Sequence, residues 1–326
     1  MGNQSFKVKV LAAFASIYII WGSTYLGIRF AIETIPPFFM AGIRFVIAGA
    51  ILYAWARLRG AEKPSFIHWR SAAVIGALLL FLGNGGVTWS EQRVPSGIAA
   101  LLIATVPLWI VLQDWLWHGA ARPSARVIAG LITGLIGMLL LVGPGQFLGE
   151  GGVDLIGVGV LMIATSSWAA GSLYSRKAKL PDSPFLSTAM EMLAGGFILL
   201  LFGFVTGVSS RMNPDAWSVR STLALGYLII FGSLVAFTAY VWLLRVVATE
   251  RVATYAYVNP IIAMLLGWGF AGEQFTTDTL LAALAIIVAV ILIITSQSRR
   301  PPTVAFPSPP VIQREDAESE ILENVG

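Results

Sequence analysis

The chain has 326 residues, 57% of them hydrophobic and 12% charged, with a net charge of +4. Soluble domains carry about 25% charged residues, so this composition excludes a large water-soluble globule and points to an integral membrane protein. Cysteine is absent, which excludes disulfides and thiol chemistry.

Each spanning helix needs about 20 apolar residues. The first run that qualifies, 8–32, is too long for a signal-peptide core and lacks an A-x-A-like site. It carries Trp21, Gly22, Ser23, Thr24 and Tyr25 in its middle. Small residues let helices approach closely, and the expected reading is that they pack while Trp21 and the hydroxyls of Ser23 and Thr24 look inward. The second run, 38–58, contains Arg44. The third, 71–90, contains Asn84 among Gly83, Gly85 and Gly86, and the fourth, 96–116, contains Pro107 with Asp114 near its end. The fifth, 124–143, carries Gly130 and Gly134, expected to form a helix-packing face.

The sixth run, 154–175, places Trp168 beside Ser166, Ser167, Ala169 and Gly171. The seventh, 184–207, contains Glu191. Runs 219–243 and 252–272 follow, the latter with Tyr255, Tyr257, Asn259 and Pro260, and 276–296 is the last. Ten spans are therefore expected. Residues 299–326 are proline-rich and then acidic, which predicts a disordered tail. His68 and His118 fall in polar connections, so no histidine metal cluster is expected within the membrane, and nothing calls for a cofactor.

Orientation follows from the basic loops. With the N-terminus in the cytoplasm, 16 of the 21 Lys and Arg residues fall inside. Arg29, Arg93, Arg211 and Arg220 fall outside, and Arg44 lies within a span. Both termini are expected in the cytoplasm. The basic excess thus reports orientation in a lipid bilayer rather than a nucleic-acid partner.

The halves resemble one another. An offset of 147 relates Trp21 to Trp168, Arg29 to Arg176, Pro37 to Pro184 and Arg44 to Glu191. An offset of 153 relates Pro107 to Pro260 and Trp115 to Trp268. Five spans per half is an odd number, so the second copy enters the membrane from the opposite side. The expected fold is an all-α integral membrane protein of ten transmembrane helices in two inverted five-helix repeats. The first repeat is 1–150, the second 151–298, and the tail 299–326.

Several stretches resemble the EamA family of drug/metabolite transporters: "WGSTYLGIRFAIETIPPFFMAGIRF", "GNGGVTWSEQ", "VPSGIAALLIATVPLW", "SSWAAGSLYSRK" and "ATYAYVNPIIAMLLGWGFAGE". The resemblance implies ten helices in two inverted repeats, a central cavity, and export of small metabolites or amino acids across the plasma (inner) membrane. One departure stands out: Gly272 is followed by the acidic Glu273, but Gly119 by Ala120.

Ionisable residues within a span cost about 2.5–3.5 kcal/mol on insertion scales for Arg, Lys or Asp at the helix centre. Arg44 lies about 9 Å deep from the outer side and Glu191 about 10 Å from the inner side, at 1.5 Å per residue. In a core about 30 Å thick this separates them by about 10 Å along the normal, too far for direct pairing without strong tilt. One reading gives each a place along a solute pathway, with Glu191 exchanging a proton. The other has each satisfying backbone or tyrosine groups of neighbouring helices. Gly- and Pro-broken spans in corresponding halves point to a transport site, which adds Asn84, Tyr255, Asn259 and Pro260 to the expected pathway of Trp21, Ser23, Thr24, Arg44, Trp168 and Glu191.

The expected function is a secondary transporter exporting small metabolites, amino acids or amphipathic drug-like solutes by alternating access. No Walker-type loop is present to use ATP. An integral membrane enzyme acting on lipids would need clustered His, Asp, Glu, Ser or metal ligands at one interface. A channel would favour charged rings or a repeated filter. Neither pattern occurs in the sequence.

Overall fold

A computed structural model describes residues 2–94, 99, 102–117, 119–142, 154–207, 213–271 and 277–295. The regular elements in these residues are all helical. The longer ones are α1 (Gly2–Ala31), α2 (Pro37–Leu58), α3 (Phe66–Ser90), α4 (Val106–Trp117) and α5 (Ala125–Val142). Then follow α6 (Leu155–Ser175), α7 (Pro184–Val205), α8 (Val219–Val246), α9 (Tyr255–Ala271) and α10 (Thr277–Thr295). The tail 299–326 and Glu273 lie outside the described residues.

The helix starts are written in local chemistry. Pro37 and Pro184 open α2 and α7, where the missing N–H of proline is no loss. Ser183 Oγ accepts from Leu186 N at 3.3 Å, and Ser218 Oγ accepts from Ser221 N at 3.1 Å. Asp154 caps α6 by accepting from Ile156 N at 2.9 Å and Gly157 N at 3.2 Å, with Arg93 Nη1 at 3.3 Å. The Gly157 N–H, joined by Arg93, holds the Asp154 carboxyl below the usual carboxylate range. The cap therefore stabilises the fold above that range and weakens as pH falls through the depressed value.

Among the described residues, six helices are long and apolar enough to cross a membrane: α1 from Gln4 onward, α2, α3, α6, α7 and α8. The sequence predicts four more spans. Their counterparts α4, α5, α9 and α10 are shorter, and for two of them a turn gives the reason. Ala104 and Thr105 form a turn, so α4 starts at Val106; its 12 residues rise about 18 Å against a core of about 30 Å. Ala253 and Thr254 form a turn in the same way ahead of α9.

Two helices depart from α geometry in mid-span. The chain is wound as a π-helix at Gly76–Gly85 in α3 and at Leu228–Phe237 in α8. The wider turn bends the hydrogen-bond ladder and tends to accompany functional sites. Each helix has defined neighbours. α2 packs on α7 and α5 on α10; α1 meets α8 and α9, while α6 meets α3 and α4; α2 meets α8, while α7 meets α3.

α3 and α7 cross closely. A Cβ on Gly195 would sit 2.8 Å from Gly76 O and 2.7 Å from Leu80 Cβ. Gly195→Ala is expected to cost about 1–3 kcal/mol, because the backbones must separate to admit the methyl group. Gly226→Ala, where nothing lies within 4 Å, is expected to be neutral or stabilising. Unfolding midpoints of the two variants in detergent check this; equal midpoints would mean the crossing is loose. The predicted packing face on α5 meets two partners. A Cβ on Gly130 would lie 3.1 Å from Ala289 O of α10, and one on Gly134 would lie 2.7 Å from the Tyr257 ring of α9.

Candidate functional site

A cavity of about 720 Å³, its open part included, lies between the helices. Its walls follow helical periodicity. Trp21, Thr24, Tyr25 and Ile28 of α1 line it at i, i+3, i+4 and i+7, and so do Leu80, Gly83, Asn84 and Val87 of α3. Arg44 and Phe45 come from α2, Thr165 and Trp168 from α6, Gly232 and Phe237 from α8, and Tyr255 and Asn259 from α9.

One part of the wall is an aromatic cluster. The Trp21 ring centroid is 4.9 Å from Tyr255, 5.1 Å from Tyr240 and 5.8 Å from Trp168. Hydrogen bonds fix the rings: Trp21 Nε1 donates to Gly232 O at 3.2 Å, and Trp168 Nε1 donates to the Tyr240 hydroxyl at 2.8 Å. Tyr240 also shares a 2.5 Å hydrogen bond with Ser172 Oγ. Each buried polar tip is thereby satisfied, as a site inside hydrocarbon requires.

Arg44 occupies another part of the wall. It is 3% exposed. Its Nε donates to Ser233 Oγ at 2.7 Å and its guanidinium lies 4.8 Å from the Phe45 ring centroid. Nη1 has no hydrogen-bond partner among the described residues. Gly232 makes room for the group: a Cβ there would sit 2.7 Å from Nη2. Asn84 Oδ1 is likewise buried without a partner among the described residues.

Asn259 ties α9 to α1. In the amide orientation that satisfies its surroundings, its nitrogen donates to Tyr18 O at 3.1 Å and Tyr255 O at 3.1 Å, and its side chain bonds the Tyr25 hydroxyl. Pro260 lies within α9 and removes one rung of its ladder. Gly22 lets the two helices touch, since a Cβ there would lie 2.8 Å from Ile262 Cβ and 3.1 Å from Asn259 O.

Of the residues singled out in the sequence, Trp21, Thr24, Arg44 and Asn84 border this one cavity, together with Trp168, Tyr255 and Asn259. Ser23, Pro260 and Glu191 do not line it. Ser23 Oγ instead donates to Ile20 O and meets the Tyr227 hydroxyl of α8 at 2.5 Å. Glu191 is fully buried in α7, with neither carboxyl oxygen hydrogen-bonded among the described residues. It lies within electrostatic reach of Arg245 and Tyr240. Arg93–Asp154 and Arg220–Glu33 form ion pairs, whereas Arg44 and Glu191 do not pair with each other. Sequence reasoning missed Tyr25, Gly232, Phe237 and Tyr240. Tyr25 carried a usable signal, standing four residues after Trp21; the α8 residues carried none, because their face is set by the π-helical stretch.

The family profile described as "EamA-like transporter family" matches residues 8–143 and again 155–295. The chain belongs to the EamA-like transporter family. It is 41% identical over 314 residues to the "Uncharacterized inner membrane transporter YedA" of Escherichia coli (strain K12), covering 95% of this chain and 97% of that one. It is 28% identical to the "Uncharacterized transporter YvbV" of Bacillus subtilis (strain 168), over 86% of this chain and 90% of that one. A solved crystal structure shares the fold with a TM-score of 0.70 at 21% identity, covering 90% of this chain and 99% of that one. In this EamA chain both matched segments build the cavity: Trp21, Arg44 and Asn84 come from the first, and Trp168, Gly232 and Asn259 from the second.

Proposed function

We propose that this chain is a secondary transporter that exports small metabolites, amino acids or amphipathic drug-like solutes across the plasma (inner) membrane by alternating access. The observation that carries this reading is a cavity walled by helices from both matched segments, with aromatic and polar groups on its surface. Sites between repeats are the rule in such transporters. Trp21, Thr24, Arg44, Asn84, Trp168, Tyr255 and Asn259 contact the solute. Ser23 and Pro260 shape the helices that carry them.

The helix pairings support two inverted five-helix repeats, 1–150 and 151–298, and ten spans. α2 pairs with α7 and α5 with α10, each with its counterpart in the other half; the α1–α9 contact is matched by α6–α4, α1–α8 by α6–α3, and α2–α8 by α7–α3. A two-fold relation in the membrane plane produces this set of contacts. Both termini are cytoplasmic in this reading, from the basic loops. Arg44, Thr24, Asn84 and their neighbours lie between the aromatic cluster and the helix ends at Ala31, Pro37, Ser90 and Leu155. Those ends are opposite the basic loops, so in this reading the cavity lies toward the outer side.

The test compares solutes released by cells with and without the protein, followed by release from liposomes containing the purified chain. A defined set of solutes leaving faster, with saturable rates and no ATP, is the expected result. Rates rising linearly with concentration would replace the transporter with a channel. New lipid products with no solute release would replace it with a membrane enzyme.

A further inference from the structure

The proposed reading leaves the solute's charge open, and Arg44 decides it. The guanidinium keeps its charge in proteins, and here it is 3% exposed in the wall of a membrane cavity. Its hydrogen bond runs to a neutral hydroxyl, Ser233 Oγ, and Nη1 has no partner among the described residues. Among the described residues the cavity wall holds no Asp or Glu. Glu191, the ionisable group at the corresponding place in the other half, is elsewhere and does not pair with it. A desolvated charge is tolerated when a partner meets it, and the partner missing from the protein wall is an anion.

We propose that the cavity binds organic monoanions that carry a carboxylate and a flat aromatic or apolar body, with Arg44 receiving the carboxylate. This rests on the transporter reading and narrows its solute class. The planar guanidinium fork matches a carboxylate, and Nη1 is free to donate to it. Phe45, Phe237, Trp168 and Tyr255 supply the faces against which a ring packs. Asn84 Oδ1, buried without a partner among the described residues, accepts from a neutral hydroxyl or amide donor on the same solute. Among the described residues no carboxylate lines the cavity to receive an ammonium group, so a cation and a zwitterion are disfavoured. Phosphate fits poorly, because its second charge and strong hydration meet a largely apolar wall.

Binding to the purified full chain in lipid nanodiscs tests this without reference to transport. The probes are phenylacetate, its methyl ester, 2-phenylethylamine and phenylalanine, read by calorimetry and by shift of the unfolding midpoint. Phenylacetate is expected to bind at least about tenfold more tightly than the other three, a difference of about 1.4 kcal/mol. Arg44→Gln removes that preference, and Arg44→Lys retains part of it. Equal binding of the ester, the amine or phenylalanine overturns the proposal, as does unchanged phenylacetate binding to a folded Arg44→Gln protein. If Arg44→Gln does not fold, the ranking of the four probes on the parent protein still decides. Saturable release of solutes without a carboxylate would overturn the monoanion assignment while leaving the transporter intact; no release of any solute would sink the transporter reading itself.

Discussion

Trp21→Ala is expected to cut solute release from liposomes by at least about tenfold and to lower stability by about 3–5 kcal/mol, the usual cost of removing a buried tryptophan. Trp21 is 8% exposed and touches three other rings, with centroids 4.9–5.8 Å away. Its loss leaves Trp168, Tyr240 and Tyr255 without the ring that packs them against α1. In the proposed reading the cluster then no longer closes the inner end of the cavity. Trp21→Phe separates function from folding. It keeps a ring and gives up only the donation to Gly232 O, a loss of about 1 kcal/mol, and transport is expected to persist. Unfolding midpoints and flux on the same preparations check both effects. Parental flux in a folded Trp21→Ala protein would mean that the rings only pack and that solute passes elsewhere.

Glu191→Gln is expected to reduce transport driven by an imposed pH gradient to the level seen without a gradient, while solute binding stays as in the parent. This follows from the reading in which Glu191 exchanges a proton: it takes one up from one side and releases it to the other, so that solute exit is coupled to inward proton movement. Its position outside the cavity wall makes this coupling indirect. The carboxyl is fully buried with both oxygens unbonded among the described residues, and it acts electrostatically on Tyr240 and Arg245. Tyr240 holds Trp168 and Ser172 in the cavity wall and beside it. Arg245 holds Ser187 and the Pro181 carbonyl at the start of α7. A change of charge at Glu191 therefore bears on the aromatic cluster and on the start of α7 together, two places that move in the proposed alternation of access. Glutamine keeps the shape and fixes the neutral form. A Glu191→Gln protein that follows the gradient like its parent would reduce this carboxyl to a structural role.

The sequence by itself determined the helical membrane class, because 12% charge and long apolar runs leave the backbone no other way to satisfy itself in lipid. It also marked part of the cavity wall. Arg44, Asn84, Trp168 and Asn259 are costly or unusual inside a span, so each stands out in one dimension. Only the tertiary structure decided which of them meet. Ser23 and Thr24 are neighbours with similar hydroxyls, yet one faces Tyr227 and the other the cavity, since a step of about 100° around a helix separates them. Arg44 and Glu191 are matched by spacing, yet one lines the cavity and the other is sealed in packing. Gly232 is an ordinary glycine in the sequence, and its role beside Arg44 exists only because α2 crosses the π-helical part of α8 there. Periodicity within one helix is local and legible; the rotation of each helix about its axis is set by its neighbours, and that information is not in any single segment.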